Sequence, residues 1–170
     1  GTLTLGTSGG TQTFGGGLTT TSVGGTVTLN GTITTSDDLV SLGAVTLGSA
    51  TTIDTNATTI QISPPSTNGD ITIGAITGGS NNLTLSTGNN IGGSDITASG
   101  AISGLGNLIL ADVGGTATFS NNVAAAALTA NNTVANIIFT GSTNTFSAAS
   151  TLANDGTLTF GNATGDSFTF

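Results

Sequence analysis

The sequence predicts an all-β fold, a parallel β-helix (β-solenoid) with little or no helix, and three observations carry that prediction. Short apolar–Thr–apolar segments recur along the chain, among them Leu3-Thr4-Leu5, Val27-Thr28-Leu29, Val45-Thr46-Leu47, Ile71-Thr72-Ile73, Leu83-Thr84-Leu85 and Leu158-Thr159-Phe160. Gly, Asn, Asp or Ser punctuates almost every interval between them. The segments also repeat against one another at a distance far longer than a hairpin.

The segments read as strands because alternate side chains of an extended chain point to opposite sides, so apolar–Thr–apolar buries one face and wets the other. Thr, Val and Ile favour that conformation, while Gly and Asn favour the turns between. No window of helical length carries an apolar stripe of helical period. The best helical candidate, Ala124 to Ala127, is bracketed too closely by Asn121-Asn122 and Asn131-Asn132 to form one.

The long period is clearest where the stretch from Asp70 matches the stretch from Asp95. Asp70-Ile71-Thr72 aligns with Asp95-Ile96-Thr97, Gly74-Ala75-Ile76-Thr77-Gly78 with Gly100-Ala101-Ile102-Ser103-Gly104, and Asn82-Leu83 with Asn107-Leu108, all at nearly the same offset. Downstream, Phe119, Phe139 and Phe160 recur at a nearly constant but shorter interval, and Phe146 and Phe168 at a similar one. A period of roughly 20–26 residues with several strands in each is the mark of a solenoid, in which one coil cannot bury its inward face until the next stacks on it. Divisions near residues 25, 44, 69, 94, 115, 136 and 156 give about eight coils. At about 4.8 Å per rung the stack is about 38 Å long. Residues 1–170 read as a single segment of a longer repetitive protein or filament. Ser63-Pro64-Pro65-Ser66 lacks two ladder donors and is expected on a protruding corner loop.

Composition narrows the function. Lys, Arg, His, Cys, Met, Trp and Tyr are all absent, and the eight acidic residues, all Asp, give a net charge of −8. Nucleic-acid backbones are held mainly by Lys and Arg, so that partner class is excluded. Anionic membrane surfaces repel such a chain, and no apolar run reaches the roughly 18 residues of a membrane span. General acid–base chemistry would have only Asp to draw on. With 35% hydrophobic residues and two prolines, the chain departs from the composition of a disordered one.

Gly25-Thr-Val-Thr-Leu-Asn-Gly-Thr-Ile33, Asp70-Ile-Thr-Ile-Gly-Ala-Ile-Thr-Gly-Gly79 and Gly156-Thr-Leu-Thr-Phe-Gly-Asn162 resemble the degenerate strand repeats of large bacterial surface proteins. These are the filamentous-haemagglutinin-type adhesins and autotransporter passenger domains. The resemblance is one of repeat style over the whole chain. It implies a right-handed parallel β-helix, secretion to the cell surface, and an adhesive or scaffolding role. The chain departs from those proteins in having no secretion-domain or β-barrel segment and in lacking the Lys and Arg they usually carry.

Candidate sites are few, and each has a plainer reading. Asp37-Asp38 are neighbours, which on a strand would point apart and on a turn would simply be solvated. A glycosidase needs two carboxyls at a set separation, so no catalytic residue is assigned and the chain is read as a non-enzyme. Asp70, Asp95, Asp155 and Asp166 sit beside Gly, Ser or Asn at expected corners and are the candidate Ca2+ ligands, since oxygen donors suit that ion. Gly92-Gly93-Ser94-Asp95 only approximates a Ca2+-binding repeat, and turn formation accounts for all four; no cofactor is otherwise called for. Asn30, Asn56, Asn82, Asn131 and Asn162 each begin an Asn-x-Thr sequon. They are candidate glycosylation sites, with turn hydrogen bonding as the plainer reading.

Thr26-Val-Thr28 and Thr32-Ile-Thr34 resemble the flat arrays by which some solenoids bind ice, although the pair appears in only some periods and its phase wanders along the sequence. Phe119, Phe139, Phe160, Phe146 and Phe168 are expected as an inward stack, since equal residues in registered coils lie one strand spacing apart. The expectation is therefore a secreted, extracellular structural segment of a fibre, adhesin or surface layer. Its partners are further coils or copies of itself joined end to end, or a host or cell-surface glycan. The alternative is a binding module that recognises glycan or ice through a flat Thr/Asn-rich face.

Overall fold

A computed structural model describes residues 1–56, 69–88 and 93–170. The expected Ser63–Ser66 corner loop lies outside the described residues, as do Gly92 and the Ala57 and Thr58 of the Asn56 sequon. The strands run from Leu3–Leu5 to Ser167–Thr169, and no helix occurs among the described residues. The Ala124 to Ala127 run lies within a strand, Val123–Ala130.

Every pairing between these strands is parallel, and the pairs sort into three faces. On the first face Leu3, Val27, Val45, Ile76, Ile102 and Val123 stand above one another. On the second, Gln12, Ile33, Ile53, Leu85, Leu110, Ala130 and Leu152 are aligned, with each pair one rung apart. On the third, Leu18, Val40, Ile71, Ile96, Ala117, Ile137 and Leu158 form the column. Three faces per turn make seven complete turns, and Ser167–Thr169 begins an eighth by pairing with Thr143–Phe146. The solenoid is therefore parallel and all-β.

The internal match of the stretches from Asp70 and from Asp95 is the register itself: Ile71 pairs with Ile96, Ile76 with Ile102 and Leu83 with Leu108. The turn count differs slightly from the expected eight, and the reason is a slip of phase. Divisions at 25 and 44 precede the first face, whereas those at 69, 94, 115, 136 and 156 precede the third. The interval 44–69 holds two faces together with residues 57–68, which lie outside the described residues, so its length matches a whole turn. First-face partners are unevenly spaced along the chain: the step from Val27 to Val45 is the shortest of them, and the next, from Val45 to Ile76, is the longest. Backbone ladders hold the strands in step while corner connections absorb the difference in length.

Inward side chains alternate with outward ones on every face, which is why apolar–Thr–apolar triplets read buried–intermediate–buried. The resulting core is one continuous cluster threaded along the axis. Corners need sharp turns in the same place on successive rungs. Strand Val27–Thr35 crosses from the first to the second face at Gly31, which has a φ of +69°. A Cβ there would lie 2.3 Å from the carbonyl oxygen of Gly10 on the rung below, so only glycine fits.

An aromatic column forms on the third face. Phe119, Phe139 and Phe160 are in register, with centroids 4.8 Å and 5.8 Å apart and nearly parallel planes. Phe119, Phe139 and Phe146 are fully buried, whereas Phe160, on the last complete turn, is 38% exposed. One pairing differs from the sequence spacing. Phe146 stacks on Phe170 at 5.3 Å, because Thr145 pairs with Thr169, and Phe168 stands opposite Asn144. The turn from Thr145 to Thr169 is longer than the interval from Phe146 to Phe168, so those two rings fall out of step. Phe168 still joins the cluster, edge-on to Phe139 at 6.2 Å and tilted against Phe160 at 4.8 Å.

Candidate functional site

The surface is built from the residues the core leaves outside. On the first face Thr4, Thr28, Thr46, Thr77 and Ser103 are in register over five turns. On the third, Thr19, Ser41, Thr72, Thr97 and Thr118 do the same, and Thr159 resumes the column after Ile138. The second face carries two such columns. Thr11, Thr32, Thr52 and Thr84 run beside Thr13, Thr34, Asp54 and Ser86 over four turns, the second column having Thr34 and Ser86 buried. The phase that wanders along the sequence is thus constant in space. Hydroxyls are bridged along these columns, with Thr34 Oγ1 donating to Thr13 Oγ1 at 2.9 Å and Thr72 Oγ1 donating to Ser41 Oγ at 2.9 Å.

Charge is concentrated along one edge. Asp54 and Asp112 stand in register at the end of the second face, and Asp37, Asp38, Asp70, Asp95 and Asp155 lie between it and the start of the third. In a three-sided coil this is the vertex opposite the first face. Asp166 is the exception. It precedes the eighth-turn strand, and its Oδ2 accepts the N–H groups of Asn162 and Ala163 at 2.8 and 3.0 Å.

The four candidate Ca2+ ligands are placed at corners, yet they are not brought together around one point. Asp70 Oδ1 accepts the Asp95 N–H at 2.8 Å, and Asp95 Oδ1 accepts the Thr116 N–H at 2.7 Å. Asn136 Oδ1 continues the pattern by accepting the Thr157 N–H at 3.0 Å. Each side-chain oxygen caps the amide of the next rung, where strand geometry begins and no ladder partner is yet available. Among the described residues no group of three or more acidic, His or Cys side chains is arranged to hold a metal. Asp37 and Asp38 lie in the turn after the second face, half-buried, with Asp37 at a φ of +65°.

Among the sequon asparagines, Asn82, Asn131 and Asn162 are exposed, and Asn30 and Asn56 are half-buried. Asn82 Oδ1 accepts the Asn107 N–H at 2.8 Å, the same inter-rung cap seen at Asp70.

Sequence reasoning missed the buried polar residues. Thr35, Thr55 and Thr87 are fully buried at the acidic vertex and bond to backbone carbonyls: Thr35 to Asp38 at 2.6 Å, Thr55 to Gly69, and Thr87 to Ser94 at 3.2 Å. Asn144 is also fully buried, accepting the Val123 N–H at 3.0 Å and donating to the Gly141 carbonyl at 2.7 Å. Nothing local distinguishes these residues from their exposed counterparts; only the position of the turn does.

No family model, curated protein or solved structure matches the chain. The site is therefore read from its own geometry. Its remaining feature lies at the two ends of the stack. Among the described residues, strands of the first turn pair only with the second turn, and the strands at 151–152, 158–160 and 167–169 each pair only with a preceding turn. The far end is apolar, with Phe160 38% and Phe170 57% exposed.

Proposed function

We propose that this chain is a structural segment of an extracellular fibre, adhesin or surface layer, continued along the solenoid axis by further coils or by copies of itself. The supporting observation is the pair of open rungs. Unpaired strand backbones are templates for another strand. Here the edges are flanked by Leu3, Leu5 and Phe14 at one end and by Phe160 and Phe170 at the other, and no lysine discourages pairing. An end-to-end contact of this kind is heterologous and grows into a filament unless its rotation closes a ring. The resemblance to secreted bacterial repeat proteins supports the location outside the cell and the scaffolding role. The reading assigns no catalysis and no cofactor.

The experiment is electron microscopy of the intact chain, with its mass measured over a wide concentration range. Rods lengthening along one axis are the expected result. Isolated rods of constant mass would overturn self-assembly through the open rungs.

A second reading, a module binding glycan or ice, is favoured by the registered hydroxyl columns on the second face. It predicts inhibition of ice recrystallisation, or retention on a polysaccharide, that Thr52→Lys abolishes. Neither effect in the native chain would remove this reading.

A further inference from the structure

We propose that the first face is a lateral docking strip for a second copy of this chain, so that solenoids pair side by side as well as end to end. The inference concerns a surface distinct from the open rungs and stands or falls separately from the fibre reading.

The argument begins with charge. Every copy carries −8 with no cation to offset it, so two copies approach most easily through surface that bears no carboxylate. The outward positions of the first-face strands are such a surface, with Asp166 immediately before the eighth-turn strand as the carboxylate beside it. One column runs Thr26, Ala44, Ala75, Ala101, and the other Thr28, Thr46, Thr77, Ser103. Seven of the eight carboxylates line the opposite vertex. Apposing two first faces therefore puts both acidic vertices on the outside, as far apart as the cross-section allows.

Shape supports the same partner. Two shallow depressions lie on this face, one lined by Thr26, Ala44, Thr46, Ala75 and Thr77, the other by Leu105, Ala124, Ala126 and Thr145. Small side chains let flat sheets come close and exclude water, as in the dry interfaces between stacked sheets. A sugar would need a ring to stack on, yet the large hydrophobic side chains exposed on the described surface are Leu39, Phe160 and Phe170, none of them on these two columns.

Size sets the strength. A strip about 38 Å long and two outward columns wide offers roughly 400–500 Å² per partner, about half of what a stable dimer buries. Single segments therefore pair weakly, and pairing strengthens with every turn added to the strip.

Sedimentation of the intact chain up to about 1 mM tests this, with Ala75→Asp as the disrupting variant and Thr97→Asp, on the third face, as the control. Both positions are outward-facing, so circular dichroism is expected to show both variants folded. Leu158→Pro removes an N–H that faces away from the preceding turn, since Thr157 and Gly161 on either side bond back to it, and so reports end-to-end contact separately. The expected result is association weakened at least tenfold by Ala75→Asp, unchanged within twofold by Thr97→Asp, and retained in Leu158→Pro. The chain has no cysteine, so a single Ala75→Cys gives an unambiguous bis-maleimide cross-link, expected to exceed that of Thr97→Cys. A monomer at every concentration overturns the proposal. So does association that Ala75→Asp leaves intact and Leu158→Pro abolishes, an outcome that keeps the fibre reading.

Discussion

The ring of Phe139 lies 4.8 Å from that of Phe119 with their planes 14° apart, although a full turn of chain separates them. Phe160 continues the stack at 5.8 Å, and Phe146 closes it edge-on at 5.9 Å. Phe139 thus touches four other rings, Phe119, Phe146, Phe160 and Phe168.

Replacing Phe139 by Ala is expected to cost about 3–5 kcal/mol, the usual range for a buried aromatic. Phe160→Ala is expected to cost less, since its ring is 38% exposed. Because stacked turns can unfold separately, hydrogen exchange within strand Val134–Phe139 is the suitable measure. Equal effects of the two substitutions would show that the stack does not organise the end of the solenoid.

The inter-rung cap at Asp70 depends on an acceptor oxygen and not on charge. Asp70→Asn is expected to be close to neutral, whereas Asp70→Ala loses the bond to the Asp95 N–H at a cost of about 1–2 kcal/mol. Millimolar Ca2+ is expected to leave the melting temperature unchanged, since a ligand that binds only the folded state would raise it. A Ca2+-dependent rise removed by Asp70→Ala would return this corner to metal binding.

Gly31→Ala places a methyl group against the Gly10 carbonyl in a left-handed backbone. Its cost is expected to exceed about 1–2 kcal/mol, by clash and by the left-handed conformation together. Gly15→Ala has nothing within 4 Å of the new carbon and no positive φ. It is expected to be neutral or to stabilise by about 0.4–1 kcal/mol through the unfolded chain. Thermal unfolding of the two variants separates steric fit at the corner from a general intolerance of glycine replacement.

Carboxylates aligned along one vertex repel those of a neighbouring copy, and salt screens that repulsion. Self-association is therefore expected to strengthen as salt rises from about 0.02 to about 0.5 M, a range over which the screening length falls from roughly 20 Å to a few ångströms. Sedimentation at fixed protein concentration checks it. Association that weakens steadily with salt would reveal attraction between opposite charges, which this chain alone cannot supply.

Much of the register is legible in residue order. The matches of Asp70-Ile71-Thr72 to Asp95-Ile96-Thr97 and of Phe119 to Phe139 are stacked pairs, because a parallel ladder favours like residues one rung apart. The pairing of Phe146 with Phe170 is not legible in the same way, since it depends on how much chain the last corners consume. The buried caps of Thr35, Thr55 and Thr87 are hidden for a related reason: a Thr at a corner looks the same in sequence whether it turns inward or outward.

Residue order alone indicates that inward and outward side chains alternate, that segments stack in parallel, and that the surface carries hydroxyls and no positive side chain. Alternation and surface chemistry follow from a period of two, which is local, and parallel stacking from the longer repeat; that segments run together into strands as long as Ile102–Phe119 does not. The folded coil adds that there are three faces to a turn and that the Thr columns stay in phase although the turns are unequal in length. It alone gathers seven Asp residues on the vertex opposite a neutral face. Corner connections vary in length while the backbone ladder holds each strand in step with its neighbours, so distance along the chain does not give position around the axis.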